Sequence, residues 1–207
     1  MKIAILGTGN MAAGLVEVLA SKHEVFIGGK DPAKAAAIAD KAGNGVIGGG
    51  IAAAVKLADV VMLALPYAAI ADVLHSVGDI NGKVLVDISN PVTEDFQNLS
   101  IGLTTSAAEE IQKQAPNAQV VKAFNTIFAP LLNIDARKNK PLQVFIASDY
   151  EGAKQTVTEI VSSIAFEAVD AGALKNARFI EPIGMMNIQF GFFLGQGPTV
   201  APTWIKI

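Results

Sequence analysis

Ile3-Ala4-Ile5-Leu6-Gly7-Thr8-Gly9-Asn10-Met11-Ala12-Ala13-Gly14-Leu15 is the stretch that decides the fold. The first four residues form a short apolar run, as expected of a buried strand. Residues 13–20, Ala13 to Ala20, read as a helix. Between them stands Gly-x-Gly-x-x-Ala. Gly7 permits a tight turn, Gly9 lets the backbone approach a pyrophosphate, and the small Ala12 lets the helix lie close on the strand. The helix N-terminus then presents free N–H groups and a positive dipole end to phosphate. Thr8, Gly9, Asn10 and Met11 are thus candidates for a dinucleotide site.

Outward from this turn, strands and helices alternate. Residues 24–28 read as a second strand. Asp31 and Pro32 supply a cap and a first-turn proline for a helix over 33–41. Residues 46–47 suggest a short third strand, with Gly48-Gly49-Gly50 turning into a helix over 51–57. The run 59–65 is apolar throughout, as a central parallel strand requires. Pro66 stops it and a helix over 67–77 follows. Then come a strand at 83–87, a loop over 88–103, a helix over 104–115 and a strand at 119–123. Further on, 143–147, 150–163 and 166–169 read as strand, helix and strand, and beyond Ala171 the chain turns helical and then irregular. The expected fold is α/β: a doubly wound, mostly parallel Rossmann sheet with a small C-terminal helical extension. Residues 1–125 form the dinucleotide-binding core. Residues 126–207 complete the sheet and cap a second pocket.

Composition narrows the function. Of the 207 residues 51% are hydrophobic and 17% charged, with a mean hydropathy of +0.42; ordinary domains carry about 25% charged residues. The surplus apolar surface predicts a homodimer. Cysteine is absent, which removes disulfides, thiolate metal sites and cysteine nucleophiles. A net charge of −3 gives no general attraction to nucleic acid or to an anionic membrane. The opening apolar run ends at Gly7, too early for a secretory leader, and the run from Val60 to Ala71 is broken by Pro66 and too short to span a bilayer. A cytoplasmic protein acting on small molecules is expected.

The tip of the second strand selects the nicotinamide cofactor. It reads Ile27-Gly28-Gly29-Lys30, with no carboxylate for the ribose hydroxyls, and Lys34 follows one helical turn on. Two ammonium groups there suit the 2′-phosphate of NADP. The carboxyl ends of the later strands carry Leu65-Pro66-Tyr67, Ser89-Asn90 and Ala123-Phe124-Asn125-Thr126-Ile127. In an open parallel sheet these segments meet the nicotinamide and its reaction partner. Ser89, Asn90, Asn125 and Thr126 offer hydrogen bonds; Pro66, Tyr67, Phe124 and Ile127 offer apolar walls. Neither histidine, His23 or His75, falls at a strand tip, and both are expected at the surface. Lys122, within a strand, is expected to be structural or to serve the cofactor side, and no metal-ligating cluster is visible. A reaction without a protein acid or base fits hydride transfer to a flavin-like ring, which carries its own basic nitrogens and needs only close stacking, about 3–3.5 Å between reacting atoms.

These residues together resemble the NADPH-dependent reductases of the deazaflavin coenzyme F420, whose Rossmann domains also occur in membrane ferric reductases. The resemblance rests on Ile3 to Met11, Gly28-Gly29-Lys30, Leu65-Pro66-Tyr67, Val121 to Thr126, Asp170-Ala171-Gly172-Ala173-Leu174 and Ala177-Arg178-Phe179-Ile180-Glu181. It implies that Thr8 to Met11 hold the pyrophosphate, Lys30 and Lys34 the 2′-phosphate, and Pro66 and Ala123 the nicotinamide. Asn125 and Ile127 would face the second ring. Where relatives often carry serine and arginine, this chain has Gly29 and Lys30. Its glycine- and aromatic-rich tail, Gly191 to Ile205, is expected to roof the second pocket or to pack in a dimer. Two other readings stand: an imine reductase of the pyrroline-carboxylate type, and a redox sensor that binds NADPH without turning it over.

Overall fold

The computed structural model describes residues 1–207. Five parallel pairings join six strands: β1 (Lys2–Leu6), β2 (Glu24–Gly29), β3 (Ile47–Gly50), β4 (Val60–Leu63), β5 (Val84–Asp87) and β6 (Gln119–Lys122). Their order, β3-β2-β1-β4-β5-β6, is that of the doubly wound dinucleotide fold. Alternate side chains of β1 feed the two faces. Ile3 and Ile5 pack with α1 (Asn10–Leu19), α2 (Pro32–Ala42) and α6 (Glu151–Ser163). Ala4 and Leu6 pack with α3 (Ile51–Leu57), α4 (Tyr67–Ser76) and α5 (Ala107–Gln114). The order reverses between β1 and β4, so their carboxyl ends open a crevice for a ligand.

Two elements differ from expectation. The third strand runs through the glycines rather than ending before them. A Cβ on Gly48 would lie 2.4 Å from the carbonyl oxygen of Ala35, so only a bare backbone fits beneath α2. The fifth helix starts at Ala107, not at residue 104, because the buried Ser106 hydroxyl accepts the Glu109 N–H and sets the cap.

After β6 the winding changes, and residues 126–207 form a separate two-stranded sheet instead of completing the main one as expected. β7 (Gln143–Ile146) and β8 (Glu167–Asp170) pair with each other in parallel and meet β6 only through an antiparallel bridge, Lys122 to Ala147. Arg137 fixes this corner. Its guanidinium donates to the carbonyls of Ala165 and Ile164 at 2.6 and 3.0 Å and stacks 3.9 Å over the Phe166 ring. The chain ends in α7 (Ala177–Ile188), a π-helical turn at Gln189–Phe193, and an irregular tail. No helix is long and apolar enough to cross a membrane.

His75 is exposed, but His23 is not a free surface residue. It is half-buried beyond α1 and shares a 2.9 Å hydrogen bond with Ser163 at the end of α6. Burial, then the nearby N-terminal amine, lower its pKa. The folded state therefore binds the proton less readily than the unfolded chain, and this part of stability starts to fall below the unfolded histidine value of about 6.5 and is lost as pH falls through the lower folded value. The urea midpoint should drop as pH falls below the unfolded value, and less steeply in His23→Gln. Parallel curves for the two proteins would contradict this.

Candidate functional site

The crevice begins at the turn between β1 and α1. Gly7 has φ +126°, and a Cβ there would sit 2.2 Å from the Ala64 carbonyl oxygen. Gly9 is different: a Cβ there would meet no atom within 4 Å. Nothing inside the protein requires glycine at that position. The open space, with a helix start that no side chain caps, fits a pyrophosphate against the backbone. Gly9 and Asn10 are exposed; Thr8 and Met11 are half-buried beside them.

At the tip of β2 the Asp31 carboxylate accepts the N–H groups of Ala33 and Lys34 at 3.0 and 3.4 Å, so it is engaged as a helix cap. Lys30 and Lys34 are exposed at the same end of α2, with no salt-bridge partner. A Cβ on Gly29 would fall 2.7 Å from the Thr8 methyl and 2.9 Å from the Asp31 carbonyl oxygen. Thr8 and Gly29 are thus fitted to each other, and a serine at position 29 would have to displace the turn.

The other strand tips are less open than their residues suggest. Leu65 and Tyr67 are half-buried and Pro66 exposed, whereas Ala123 is fully buried. Tyr67 is held as a neutral phenol by burial first and then by the charges of Glu110, Glu181 and Asp87. Asn90 and Asn125 bond each other. Asn90 donates to the Asn125 carbonyl at 2.8 Å, and Asn125 donates to Asn90 Oδ1 at 2.8 Å and to the Ile180 carbonyl at 3.1 Å. A Cβ on Gly184 of α7 would lie 2.4 Å from Asn90 Oδ1, so the helix closes over this pair. Their expected role of donating to a ligand becomes that of a scaffold. Thr126 departs from expectation as well: it is 2% exposed and its carbonyl accepts from Asn187.

Beside the turn lies a cavity of about 260 Å³. Phe124, Asn125 and Ile127 line it as expected, with Met11 and Ile88 on one side and Phe128, Ile188 and Phe192 on the other. Phe124 holds a left-handed φ of +61°, which turns the chain sharply out of β6. None of the lining residues titrates. The roof comes from the π-helical turn, where Phe192 meets Phe128 edge-on with ring centres 5.3 Å apart. The rest of the tail leaves the cavity and docks on β7. Gln143 receives the Trp204 N–H at 2.6 Å and donates to the Trp204 carbonyl at 3.0 Å.

Beneath the cavity floor is a buried charge cluster. Asp87 and Lys122 are partners in the β5–β6 ladder. Lys122 Nζ, fully buried, lies 2.7 Å from Asp87, 2.8 Å from Glu181 of α7 and 2.6 Å from the Ser89 carbonyl. Burial alone would lower the lysine pKa; the two carboxylates outweigh it and raise it. Glu181 is pushed up by burial and by Asp87, against the pull of Lys122. Its oxygens also accept the first N–H groups of α5, from Ala107 at 2.9 Å and Ala108 at 3.3 Å. Asp87 accepts the Ser89 N–H at 2.9 Å, while the buried Ser89 hydroxyl has no partner. Lys122 is therefore structural, but it holds the loop that bounds the cavity. Glu181 could be anticipated only through the Ala-Arg-x-x-Glu motif, because nothing local links positions 122 and 181.

Comparison with known proteins places the chain. Residues 2–91 match the family model described as NADP oxidoreductase coenzyme F420-dependent. The F420-dependent NADP reductase of Methanothermobacter marburgensis is 34% identical over 200 residues, covering 88% of this chain and 89% of that protein. A solved structure from Arthrobacter sp. FB24, assigned to F420-dependent NADP-reductases, superposes with a TM-score of 0.85 at 30% identity, over 94% of this chain and 95% of that one. The chain belongs to the family of F420-dependent NADP oxidoreductases. The rat metalloreductase STEAP3 is 30% identical over 183 residues; the match covers 88% of this chain but 36% of that longer protein. An imine reductase from Pseudomonas sp., 19% identical with a TM-score of 0.65, shares the fold.

Within this family frame the Ala-Arg-x-x-Glu motif has a physical meaning. Arg178 grips Glu109 of α5 through Nε and Nη2 at 2.9 and 2.6 Å, and Glu181 grips Lys122 and the α5 amides. One turn of α7 thus fastens the helix both to α5 and to the sheet. Lys122→Met leaves two buried carboxylates facing each other and should lower unfolding free energy by about 3–5 kcal/mol. Chemical denaturation that shows a loss under about 1 kcal/mol would mean the cluster is not what joins the elements.

Proposed function

We propose that this protein transfers a hydride between NADP(H) and a flavin-like ring, the deazaflavin coenzyme F420 or a flavin. The observation that carries the reading is the cavity: it abuts Met11 of the nucleotide turn and is walled by aromatic, aliphatic and amide groups without one titratable side chain. NADPH, when bound, supplies the hydride. The chain's own work is to bind and orient. Thr8, Gly9, Asn10 and Met11 receive the pyrophosphate; Gly29 sets the β2 tip against Thr8 beside the adenosine ribose, and Lys30 and Lys34 bind its 2′-phosphate. Leu65, Pro66, Tyr67, Ser89, Asn90 and Ala123 bound the nicotinamide end. The unpartnered Ser89 hydroxyl is the buried donor best suited to a carboxamide. Phe124, Asn125 and Ile127 hold the acceptor, and the Phe128–Phe192 roof excludes water.

In this reading residues 1–125 bind the nucleotide and residues 126–207 supply most of the acceptor wall, in a cytoplasmic homodimer. The names of the relatives support the cofactor pair: the M. marburgensis protein is an F420-dependent NADP reductase. The lining argues against imine reduction, which needs a proton donor beside the hydride. A sensor that turns nothing over would need no second cavity.

Lys30→Ala should weaken NADPH binding about tenfold or more while leaving NADH binding nearly unchanged, since one ion pair to phosphate is lost; equal losses in calorimetry would refute the 2′-phosphate assignment. Gly9→Val should abolish binding of both. With no titratable group in the cavity, kcat should stay flat between about pH 6 and 8. A bell-shaped profile would point to an acid or base the reading does not contain.

A further inference from the structure

We infer that the outward face of α7 is the surface through which two copies of this chain pair, the two helices running antiparallel about a two-fold axis. This rests on the homodimer of the reading above and names its interface.

α7 is used on both sides. Its inward side brings Glu181 to Lys122, Gly184 to the asparagine pair and Ile188 to the acceptor cavity. Its outward side presents Phe179, Ile183 and Met186, and Phe190 of the π-helical turn continues the line. The spacing of four, three and four residues keeps all of them on one stripe of a helix. Phe179, Met186 and Phe190 are 68%, 45% and 37% exposed. Ile183 is half-buried and joins two open hollows. One, of about 490 Å³, lies between Met186 and Phe190 and the returning tail at residues 200–202. The other, of about 400 Å³, lies between Phe179 and the side chains of Phe145, Val169 and Trp204.

Symmetry, charge and area of this face all fit a second copy. In a two-fold interface, if one residue meets another, the second meets the first. The four-three-four spacing reads the same in both directions. In an antiparallel pair Phe179 therefore meets the partner's Phe190 and Ile183 meets the partner's Met186, ring against ring and aliphatic chain against aliphatic chain.

From residue 179 to residue 205 the only titratable side chain is Glu181, which is buried. The charged residues that flank these walls in sequence carry both signs: Lys140, Glu167, Asp170, Lys175, Arg178 and Lys206. Asp170 is paired with Lys154 at 2.9 Å and Arg178 with Glu109 at 2.6 Å. Two such faces meet without a block of one charge between them. The exposed parts of Phe179, Met186, Phe190 and Trp204, with those of the adjoining Leu194 and Ile205, come to roughly three or four whole side chains, about 500–900 Å². A standard interface takes about 800 Å² from each partner.

The test uses the full-length protein. Analytical ultracentrifugation should find dimers at micromolar concentration. Phe179→Glu/Met186→Glu, which sets like charges on an exposed stripe, should weaken pairing about 100-fold or more. NADPH binding belongs to β1, β2 and the turn between β1 and α1, so it should be unchanged in that variant and reports that it is folded. Cysteine is absent from the chain, so introduced thiols identify neighbours cleanly. A mixture of Phe179→Cys and Phe190→Cys proteins should be joined by a short bis-maleimide. Phe179→Cys alone should not, because its two thiols stand eleven residues apart along the paired helices, about 16 Å. The cross-linking result holds whether or not the charged variant folds. A dimer that persists in the folded double variant, or Phe179→Cys cross-linked to itself, overturns this interface while leaving the homodimer intact. A wild-type protein that stays monomeric at every concentration overturns the homodimer reading, and this inference with it.

Discussion

The acceptor side of the crevice depends on one buried cation. Lys122 sits on the carboxyl end of β6 with no exposed surface, where an unpaired ammonium could not remain charged. Its partners come from three places: the neighbouring strand through Asp87, the loop above through the Ser89 carbonyl, and α7 through Glu181. The cluster holds two carboxylates against one ammonium, an excess of negative charge. The positive end of α5 relieves it, because the amides of Ala107 and Ala108 point at Glu181. That explains why α5 begins at Ala107 and why α7 crosses where it does. Buried charge clusters are weak sources of net stability but strict about geometry. Here the geometry fixed is that of the Ile88–Asn90 loop, which bounds the cavity.

A second constraint acts at the nucleotide end, and it is steric. Gly7 must bring the chain against Ala64, and Gly29 must pass under the Thr8 methyl. The two contacts draw the tips of β1, β2 and β4 together, and Gly9 is left as the glycine that only an outside ligand explains. The two ends of the crevice are therefore organised by different physics. Backbone approach and helix amides serve the phosphates, while packed aromatics over a charged foundation serve a ring.

How much of this the sequence discloses depends on how local the cause is. The β1–turn–α1 unit is legible because Gly7, Gly9 and Ala12 act within a dozen residues, and the Asp31-Pro32 cap is legible for the same reason. The run through Gly48-Gly49-Gly50 misleads, because glycine ordinarily marks a turn, while here the cause is the overlying backbone of α2 at Ala35. Asn90 and Asn125 look like ligand donors from their places at strand tips. Their mutual bonds and the approach of Gly184 depend on a helix some sixty residues further along, whose crossing no local pattern discloses. Thr126 is turned inward by Asn187 in the same way. Lys122 is the intermediate case. A lysine between Val121 and Ala123 in an apolar strand announces a buried cation, and the in-register Asp87 is a partner that strand order makes available.

The tail divides into two parts with different jobs. Its first part, through Phe192, packs on Phe128 and closes the cavity. Its last part leaves and clamps β7 through Gln143 and an edge-on contact between Phe145 and Trp204, 6.2 Å between ring centres. Asn187 of α7 connects the two, its amide donating both to the Thr126 carbonyl and to the Val200 carbonyl in the returning tail. A single side chain therefore couples the order of the distal tail to the position of the roof. The aromatic residues left exposed at the π-helical turn, Phe190, Phe192 and Phe193, place part of this chain's surplus apolar surface at the acceptor end. Patches of that kind mark a ligand groove or an interface. Because Phe192 faces the cavity as well as the outside, a ring entering there would cover the surface that the composition alone left unexplained.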